Sequence, residues 1–528
     1  MDSRFPLAAD AHEAPSGRTR ARRRIAVPLV LAALTAAAAV YMGYHCFSIG
    51  PSLEDSNILE TVLIRSLGSQ FLLGPGALYG PFTSDHPWVL IHAPLYYRLA
   101  GLMAWPAIIR GVDVDLASLY AGRILAFAAW VATLVVGYKL TRLDGAPRWA
   151  GYASVCLIAS AAVLAPFHVT VRPDTLGLFF QTAGAWLVAR AWLDGRRPTR
   201  DLILAYTAFA LASCAKQHDV FVAAACSLGL FVGVFRGRFR ARDVIVAHAA
   251  SVAIVAAYYG VEEWVTGGMM SRSVFILPAR FRELTYGGWP RVGIIFYDVI
   301  RRSAGLLVIA VACLFASNRR PAGNRLDAFL VALTAVEVLS MIPLCLYSTG
   351  SFYNYAIQAV VFLSILVGRA LPRVLEPTEE TLTPARRLAS AIVVLATFAL
   401  LADVTRFSLI SYRLRTETNQ ALSDLVAASR LSGIGREGRY FIDGPQHNRL
   451  VGRGELSHDE WLYGAYEATG DVEPRQKWLK QALTGDGPVH QVIATLDKPT
   501  IPGIAESMEE LGYHRVGVYG PFRVWQRD

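Results

Sequence analysis

The sequence predicts an α-helical polytopic membrane protein that ends in a small α/β domain. Of its 528 residues, 54% are hydrophobic and only 17% are charged, and the mean hydropathy is +0.37. A soluble globular chain carries more charge than this. The hydrophobic residues form long runs up to about residue 410, and the composition after that point is typical of a soluble domain.

The hydrophobic runs are long enough to cross a bilayer as helices, because a hydrocarbon core about 30 Å thick needs roughly 20 helical residues. They predict about eleven spans within residues 25–410. The spans are expected at residues 25–47, 117–140, 149–167, 175–193, 202–215, 220–235, 244–262, 301–317, 326–347, 355–371 and 388–410. The neighbours 202–215 and 220–235 are short, so we expect the turn between them, which contains Lys216, to lie below the membrane surface.

Arginines predict the orientation. Residues 1–24 are arginine-rich and form a disordered basic segment that the positive-inside rule places in the cytoplasm. A cleaved signal peptide is the alternative, but no small-residue cleavage site closes the first run. Every second loop after it is also basic. The first outer loop, residues 48–116, and the C-terminal residues 411–528 are therefore expected on the extracytoplasmic side.

Segment 263–300 does not fit this alternation, because it is predicted outside and still contains several arginines, including Arg280 and Arg282. One span is misassigned, or these arginines form an external cationic surface that holds a phosphate or pyrophosphate. The sequence leaves both interpretations open.

Residues 411–528 alternate between helical and strand-like stretches. Helices are expected near 417–431, 473–483 and 503–512, and strands near 439–443, 488–496 and 515–526. This alternation predicts an extracytoplasmic α/β domain large enough for its own core.

The net charge of +10 does not indicate nucleic-acid binding. No nucleic-acid-binding motif accompanies the charge, and the arginines lie between hydrophobic runs, where they anchor loops at the lipid bilayer. The six cysteines lie within or beside those runs, without disulfide or metal-ligand spacing, which predicts packing roles.

Glu54 and Asp55 follow the first span and begin an amphipathic helix with a capping-box pattern from Ser52. They complement the helix N-terminus, or one acts as a general base while the other orients the hydroxyl or binds a divalent metal, Mg or Mn. His86 and His92 share this loop. They are interface residues, or they take an electrophilic, phosphate-binding or metal-binding role.

Further polar residues fall at the ends of spans on the same predicted side. Asp174 caps a helix with Arg172 as its ion partner, or it lies in a substrate site. Lys216 is the strongest cation, because a charge in a submerged turn needs a partner. Tyr353 and Tyr355 are typical interfacial aromatics.

Five features in this order carry a family resemblance: an acidic residue after the first span, then His92-Ala-Pro-Leu-Tyr-Tyr97, Arg172-Pro-Asp174, Ala215-Lys-Gln217 and Asn354-Tyr355. The order resembles the GT-C superfamily. More narrowly, it resembles bacterial family 39-like glycosyltransferases, relatives of protein O-mannosyltransferases and of the aminoarabinose transferases that modify lipid A. The similarity covers most of residues 45–370.

The resemblance implies a multi-pass enzyme of the cell inner (plasma) membrane. It would move a sugar from a polyprenyl-phosphate donor to an extracytoplasmic acceptor (an envelope glycan, a lipid or a protein) with inversion. It maps the catalytic carboxylate onto Asp55 or Glu54, and the acidic order, reversed from the family's usual Asp-Glu, leaves that choice open. Ala93 stands where relatives carry a lysine for the carrier phosphate.

The other roles are then assigned as follows. The donor phosphate would bind to Lys216, Arg172, Arg280 and Arg282. The substrate would contact His86, His92, Asp174, Gln217, Tyr353, Asn354 and Tyr355.

Two other classes of function compete with this one. A transporter or flippase of lipid-linked sugars would show two matching halves, and the sequence shows no such repeat. A non-catalytic assembly protein would leave the polar groups at membrane depth unexplained.

Overall fold

The computed structural model describes residues 40, 55–79, 90–161, 163–164, 170–195, 197–279, 288–316, 325–346, 353–375, 384, 387–393, 395–397, 400, 440–443, 456–457, 491–495, 509, 512–519 and 522–527. Helices account for nearly all of this up to residue 400. They are α1 (Asp55–Leu72), α2 (Leu95–Ile109), α3 (Val114–Thr141), α4 (Arg148–Ala159), α5 (Asp174–Asp194), α6 (Pro198–Ala215), α7 (Phe221–Phe235), α8 (Ala241–Val265), α9 (Met269–Ala279), α10 (Gly288–Arg302), α11 (Ala304–Ala316), α12 (Arg325–Leu346), α13 (Ile357–Leu375) and α14 (Arg387–Thr397).

Four of the described helices are long and apolar enough to cross a membrane: Leu116–Thr141, Ala241–Val265, Arg325–Leu346 and Asn354–Leu375. Shorter apolar helices accompany them, and large side chains such as Phe235, Trp264 and Phe315 are exposed on their outer faces. Exposed apolar surface of this kind suits contact with lipid tails. The protein is therefore mostly helical with several apolar spans, while the count of about eleven stays a prediction.

The main bundle is built from pairs of neighbouring helices: α5 with α6, α6 with α8, α3 with α5, α4 with α13, and α12 with α13. Small residues bring some of these pairs close together. A Cβ atom at Gly368 of α13 would lie 2.0 Å from the Ser154 hydroxyl of α4. Close backbone approach at glycine is a common way to pack helices in membranes, where the hydrophobic effect does not drive association.

The outer helices α1 and α2, joined by a 3-10 turn at Pro75–Tyr79, pack on α3 and share a separate apolar cluster with it. Arg98 of α2 binds Glu262 of α8 in a salt bridge of 2.7 Å, and its guanidinium also donates to Gln70 of α1. These bonds tie the outer helices to the bundle.

Segment 263–300 differs from the expected loop, because it contains α9 and α10. The arginines of α10 recur between apolar residues at helical spacing, so this helix is amphipathic and does not form a hydrophobic run in the sequence. Pro106 lies inside α2, which continues to Ile109, and the helix is interrupted at Ser303 between α10 and α11.

Among the described residues near the C-terminus, five strands form one sheet in the order β2-β1-β3-β5-β4. They are β1 (Tyr440–Asp443), β2 (Leu456–Ser457), β3 (Gln491–Thr495), β4 (Tyr513–Tyr519) and β5 (Phe522–Arg527). β1 runs parallel to β2 and β3, and β5 is antiparallel to β3 and β4. The strand expected at 515–526 is thus a hairpin. The helices expected at 417–431 and 473–483 lie outside the described residues, and the separate α/β domain stays a prediction.

Candidate functional site

A buried ion pair lies where two helices end. Asp174 is the first residue of α5, after Pro173, and Lys216 follows the last residue of α6. The Lys216 Nζ atom lies 2.6 Å from Asp174 Oδ1, with side chains 3% and 4% exposed. An acidic group stabilises the positive end of the helix dipole, at the N-terminus, and a cation stabilises the negative end, at the C-terminus. The pair therefore suits its position and joins α5 to α6.

The 3-10 turn Tyr353–Ala356, which precedes α13, adds two contacts to this pair. Asn354 donates from Nδ2 to Asp174 Oδ1 over 3.0 Å, and the Lys216 ammonium lies 5.4 Å from the centre of the Tyr355 ring. Asp174 Oδ1 thus accepts from both Lys216 and Asn354. Residues almost two hundred positions apart in the sequence meet at this carboxylate.

Gln217 binds the loop that contains His92. Its Nε2 atom donates to the Ile91 carbonyl over 2.7 Å, and its Oε1 atom accepts from the Ala93 N–H over 3.2 Å. The Tyr79 hydroxyl donates to the His92 carbonyl over 2.5 Å. Three consecutive residues are therefore held through their backbone, and Gln217 acts as a two-point clamp.

The His92 imidazole lies within this cluster. Its Nδ1 atom is buried and has no hydrogen-bond partner in the part of the chain that the structure describes. Burial lowers the pKa of His92 to about 4; Asp174 opposes the shift, whereas Lys216 and Arg172 add to it. The imidazole is therefore neutral near pH 7.

The ion pair keeps both of its charges. Burial raises the pKa of Asp174, but Lys216 and Arg172 outweigh it and hold that pKa well below its usual value. Burial lowers the pKa of Lys216, but Asp174 and Asp219 outweigh it, so the net shift is upward. The site therefore has one ionised carboxylate, Asp174, close to two cations.

Sequence reasoning missed Asp219, although it lies in the same turn as Lys216. Its carboxyl is buried, and Oδ1 accepts from Gln358 Nε2 of α13 over 3.2 Å. Burial raises the pKa of Asp219 to about 7, with Lys216 acting in the opposite direction. An aspartate in a predicted submerged turn was a usable signal. The contact with Gln358 was not, because it depends on tertiary packing.

The structure brings together most of the predicted site residues that it describes with side chains. These are His92, Arg172, Asp174, Lys216, Gln217, Asn354 and Tyr355. Glu54, His86, Arg280 and Arg282 lie outside the described residues, and Asp55 and Tyr353 are described only as the first residues of α1 and of a 3-10 turn.

Among the described residues there is no group of three His, Cys, Asp or Glu side chains that could hold a metal. The Mg or Mn hypothesis rests on Glu54 and Asp55, whose side chains the structure does not describe. It stays a hypothesis.

Residues 112–260 match the model of the family described as dolichyl-phosphate-mannose-protein mannosyltransferase. A search of curated protein sequences gives no match. The region with the family match contains the Arg172, Asp174, Lys216 and Gln217 positions described above.

Solved structures share the fold over most of the chain. ArnT from Cupriavidus metallidurans bound to undecaprenyl phosphate is similar with a TM-score of 0.60 and 13% identity, over 94% of this chain and 97% of that one. Its apo state gives 0.59 and 13%, over 97% and 98%. The oligosaccharyltransferase AglB from Archaeoglobus fulgidus, in complex with an inhibitory peptide and a dolichol-phosphate, gives 0.53 and 12%, over 88% and 69%.

The resemblance predicted from motif order is thereby confirmed, and the transporter alternative gains no support. Residues 112–260 are therefore similar to the dolichyl-phosphate-mannose-protein mannosyltransferases, and the chain as a whole has the helical fold of ArnT, a fold with several apolar membrane spans.

Proposed function

We propose that the protein transfers a sugar from a polyprenyl-phosphate donor to an acceptor hydroxyl on the extracytoplasmic face, with inversion at the anomeric carbon. The observation that carries this proposal is the buried cation cluster of Lys216 and Arg172, built on the carboxylate of Asp174. Solved structures of the same fold bind undecaprenyl phosphate and a dolichol-phosphate. The N-terminus is cytoplasmic and residues 411–528 are outside.

The cations act on the leaving group. When the bond between the anomeric carbon and the phosphate oxygen breaks, its electron pair stays on the polyprenyl phosphate, which gains negative charge. Preorganised cations at that position stabilise the transition state more than the ground state. An ammonium has three N–H donors, and Asp174 accepts one from Lys216, so the others suit phosphate oxygens.

Arg172 supports the same role. Its side chain is buried beside Asp174, and its charge acts on both Asp174 and His92. A guanidinium matches two phosphate oxygens at once, which an ammonium cannot do. Arg280 and Arg282 remain proposed as a second, outer group of phosphate ligands.

Asp55, with Glu54 as the alternative, is the proposed general base. It would take the proton from the acceptor hydroxyl while the oxygen attacks from the face opposite the phosphate, which gives inversion in one displacement. The backbone of α1 begins at Asp55 and its later turns pack beside Tyr96 and Tyr97 of α2. The neutral His92, beside the cation cluster, is proposed to bind a sugar hydroxyl or phosphate oxygen, with His86, Tyr353 and Tyr355 lining the substrate.

The test is release of carrier phosphate by purified full-length protein incubated with a panel of polyprenyl-phosphate sugars. We expect turnover by the natural chain, and a loss of at least about a hundredfold in Asp55→Asn or in Glu54→Gln, because one of the two is the base. Full turnover in both variants would overturn the assignment of the base. No release and no transfer with any donor would overturn the proposed reaction.

A labelling map tests the orientation. Single cysteines placed at exposed positions of α10, such as Trp289 and Tyr297, would be probed with a reagent that cannot cross membranes. Reaction in intact cells supports an external position of α10 and of its arginines. Reaction only after the membrane is opened removes Arg280 and Arg282 from the donor site.

A further inference from the structure

Tyr96 and Tyr97 are neighbours in the first turn of α2, and their buried hydroxyls differ. The Tyr96 hydroxyl donates to the Gly122 carbonyl of α3 over 2.7 Å. The Tyr97 hydroxyl has no hydrogen-bond partner among the described residues. A buried hydroxyl without a partner destabilises the fold, so Tyr97 needs an explanation that Tyr96 does not.

The Tyr97 side chain lies beside the buried ion pair. It shares its apolar cluster with Val171 and Ala215, and these residues directly precede the two cations of the site in the sequence. The charges of Asp174 and Arg172 act on its hydroxyl. An outer helix therefore brings an unpaired hydroxyl to the proposed donor site.

The phenol of Tyr97 keeps its proton. Burial raises the pKa of Tyr97, Tyr96 and Asp174 add to this shift, and Arg172 opposes it. The hydroxyl can therefore donate one hydrogen bond and accept others near pH 7.

Asn354 supplies a second unpaired atom of the site, its Oδ1 oxygen, which is buried without a partner in the described ranges. Because Nδ2 donates to Asp174 Oδ1 over 3.0 Å, a rotated amide would turn its own oxygen towards that carboxylate. Oδ1 is therefore an acceptor that needs a donor. The phosphodiester of a polyprenyl-phosphate sugar has no proton to give near pH 7, whereas a sugar hydroxyl has one.

We propose that Tyr97 is a specificity-determining residue that donates to an oxygen of the donor sugar, while Asn354 Oδ1 accepts from one of the sugar's hydroxyls. The sugar enters beside Asn354 and Tyr355, which are half-buried. The donor is then a polyprenyl-phosphate sugar with free hydroxyls, which pair the atoms that the fold leaves unpaired. This inference rests on the proposed function, because it assumes that the cations of the site hold the donor phosphate.

Thermal unfolding tests the unpaired hydroxyl without any donor. Tyr97→Phe removes a buried group that has no partner, so we expect its Tm to equal or exceed that of the natural chain. Tyr96→Phe loses the bond to the Gly122 carbonyl, and its Tm should fall. If the Tm of Tyr97→Phe falls as far as that of Tyr96→Phe, the Tyr97 hydroxyl has a partner in the fold and the proposal is overturned.

Turnover of matched donors tests the recognition of the sugar. Release of carrier phosphate is measured with the best polyprenyl-phosphate sugar and with its monodeoxy analogues, each of which lacks one hydroxyl. We expect Tyr97→Phe to lower kcat/KM about tenfold on the complete sugar, and much less on the analogue that lacks the hydroxyl bound by Tyr97. Tyr96→Phe is the control, and its effect should be the same factor on every donor.

Asn354→Ala is compared in the same way. It also loses the contact with Asp174, so its turnover should fall on every donor, but least on the analogue that lacks the hydroxyl bound by Oδ1. Equal losses on all donors overturn this contact.

The outcomes separate this inference from the proposed reaction. A Tyr97→Phe protein that loses the same factor on all donors, or nothing on any, overturns the specificity role and leaves the reaction standing. If the natural chain turns over no donor, the reaction is overturned and the sugar contact with it, whereas the Tm comparison still decides whether the Tyr97 hydroxyl is unpaired.

Discussion

Two buried clusters of charge lie at the two ends of α13, and they are built differently. One surrounds Asn354 and contains Lys216 and Asp174. The other surrounds Arg369, fifteen positions along the chain, which is about 20 Å along a helix. Each joins several segments of the bundle, so burial of charge alone does not separate a binding site from a structural contact.

The Arg369 cluster is saturated. The guanidinium donates to Asp327 over 2.6 Å, to Asp144 over 2.6 and 2.5 Å, and to the Thr141 carbonyl over 2.6 Å. Arg373 binds the second oxygen of Asp327 over 2.8 Å. Two cations meet two carboxylates, and the hydrogen bonds are directed within the cluster. Such a cluster holds helices together.

The Lys216 cluster is unsaturated. His92 Nδ1, Asn354 Oδ1, Asp219 Oδ2 and Gln181 Oε1 are buried without partners in the described part of the chain. Buried polar atoms are normally paired, and the exceptions concentrate where a ligand or a proton completes the set. Between these two clusters, unpaired polar atoms, and not the burial of charge, distinguish the candidate site from the structural contact.

The largest effect that we predict is the loss of stability when Arg369 is removed from its cluster. Arg369→Met leaves the buried carboxylate of Asp327 with only the half-exposed Arg373 as its cation, and we expect a loss of roughly 3–5 kcal/mol in the free energy of unfolding. Arg373→Met is the control, since its side chain is 45% exposed, and should cost less than about 1 kcal/mol. Thermal unfolding and size-exclusion profiles of purified protein measure both. Equal effects would mean that the Arg369 cluster is not the stronger one.

The second prediction concerns the unsaturated end. Lys216→Met should lower kcat/KM by at least about a hundredfold, which corresponds to about 3 kcal/mol of transition-state stabilisation. Lys139→Met is the matched control at another helix end, over the ring of Trp186, and should keep its activity.

A double variant separates stability from chemistry at this end. Lys216→Met with Asp174→Asn removes both charges, so we expect it to recover thermal stability that Lys216→Met loses, without recovering activity. Recovery of activity would show that Lys216 serves the fold and not the donor phosphate.

The third prediction uses the neutral imidazole. The pKa of His92 is lowered to about 4 from 6.5, so an unfolded chain binds a proton at this position between these values and the folded chain does not. His92 thus contributes stability that is present above pH 6.5 and is lost as the pH falls towards 4. The loss is up to about 3 kcal/mol. His92→Gln should flatten the pH dependence of the free energy of unfolding between pH 4 and pH 6.5. An unchanged pH dependence would mean that the His92 imidazole is exposed to solvent.

Much of the helical architecture was predictable from the sequence, because hydropathy is a sum over local residues. The expected spans 117–140 and 326–347 correspond to helices Val114–Thr141 and Arg325–Leu346. α10 was not found, since Arg291, Arg301 and Arg302 interrupt its apolar residues. A search for hydrophobic runs detects helices surrounded by lipid and overlooks amphipathic ones.

Charged residues of the site were predictable from the sequence, whereas its amide side chains were not. Lys216 and Asp174 stood out because a charge near membrane depth needs a partner. Gln181 and Gln358 did not, because an amide in a helix has no distinctive sequence pattern and its role depends on which helices meet. The substrate role expected for Gln217 is not tested, but its side-chain amide is engaged by backbone groups.

The smallest effect we predict sharpens the comparison at Gln217. Gln217→Leu removes two hydrogen bonds to Ile91 and Ala93 and leaves the Tyr79 bond to the His92 carbonyl, so the loop should loosen and turnover should fall about tenfold. Thermal stability should change by less than about 2 kcal/mol. The rate of imidazole modification by diethylpyrocarbonate, compared with a His92→Gln background, should rise as His92 becomes accessible. If turnover falls while the modification rate stays constant, Gln217 contacts the substrate directly. Its two hydrogen bonds to the loop are then purely structural, like those of Arg369.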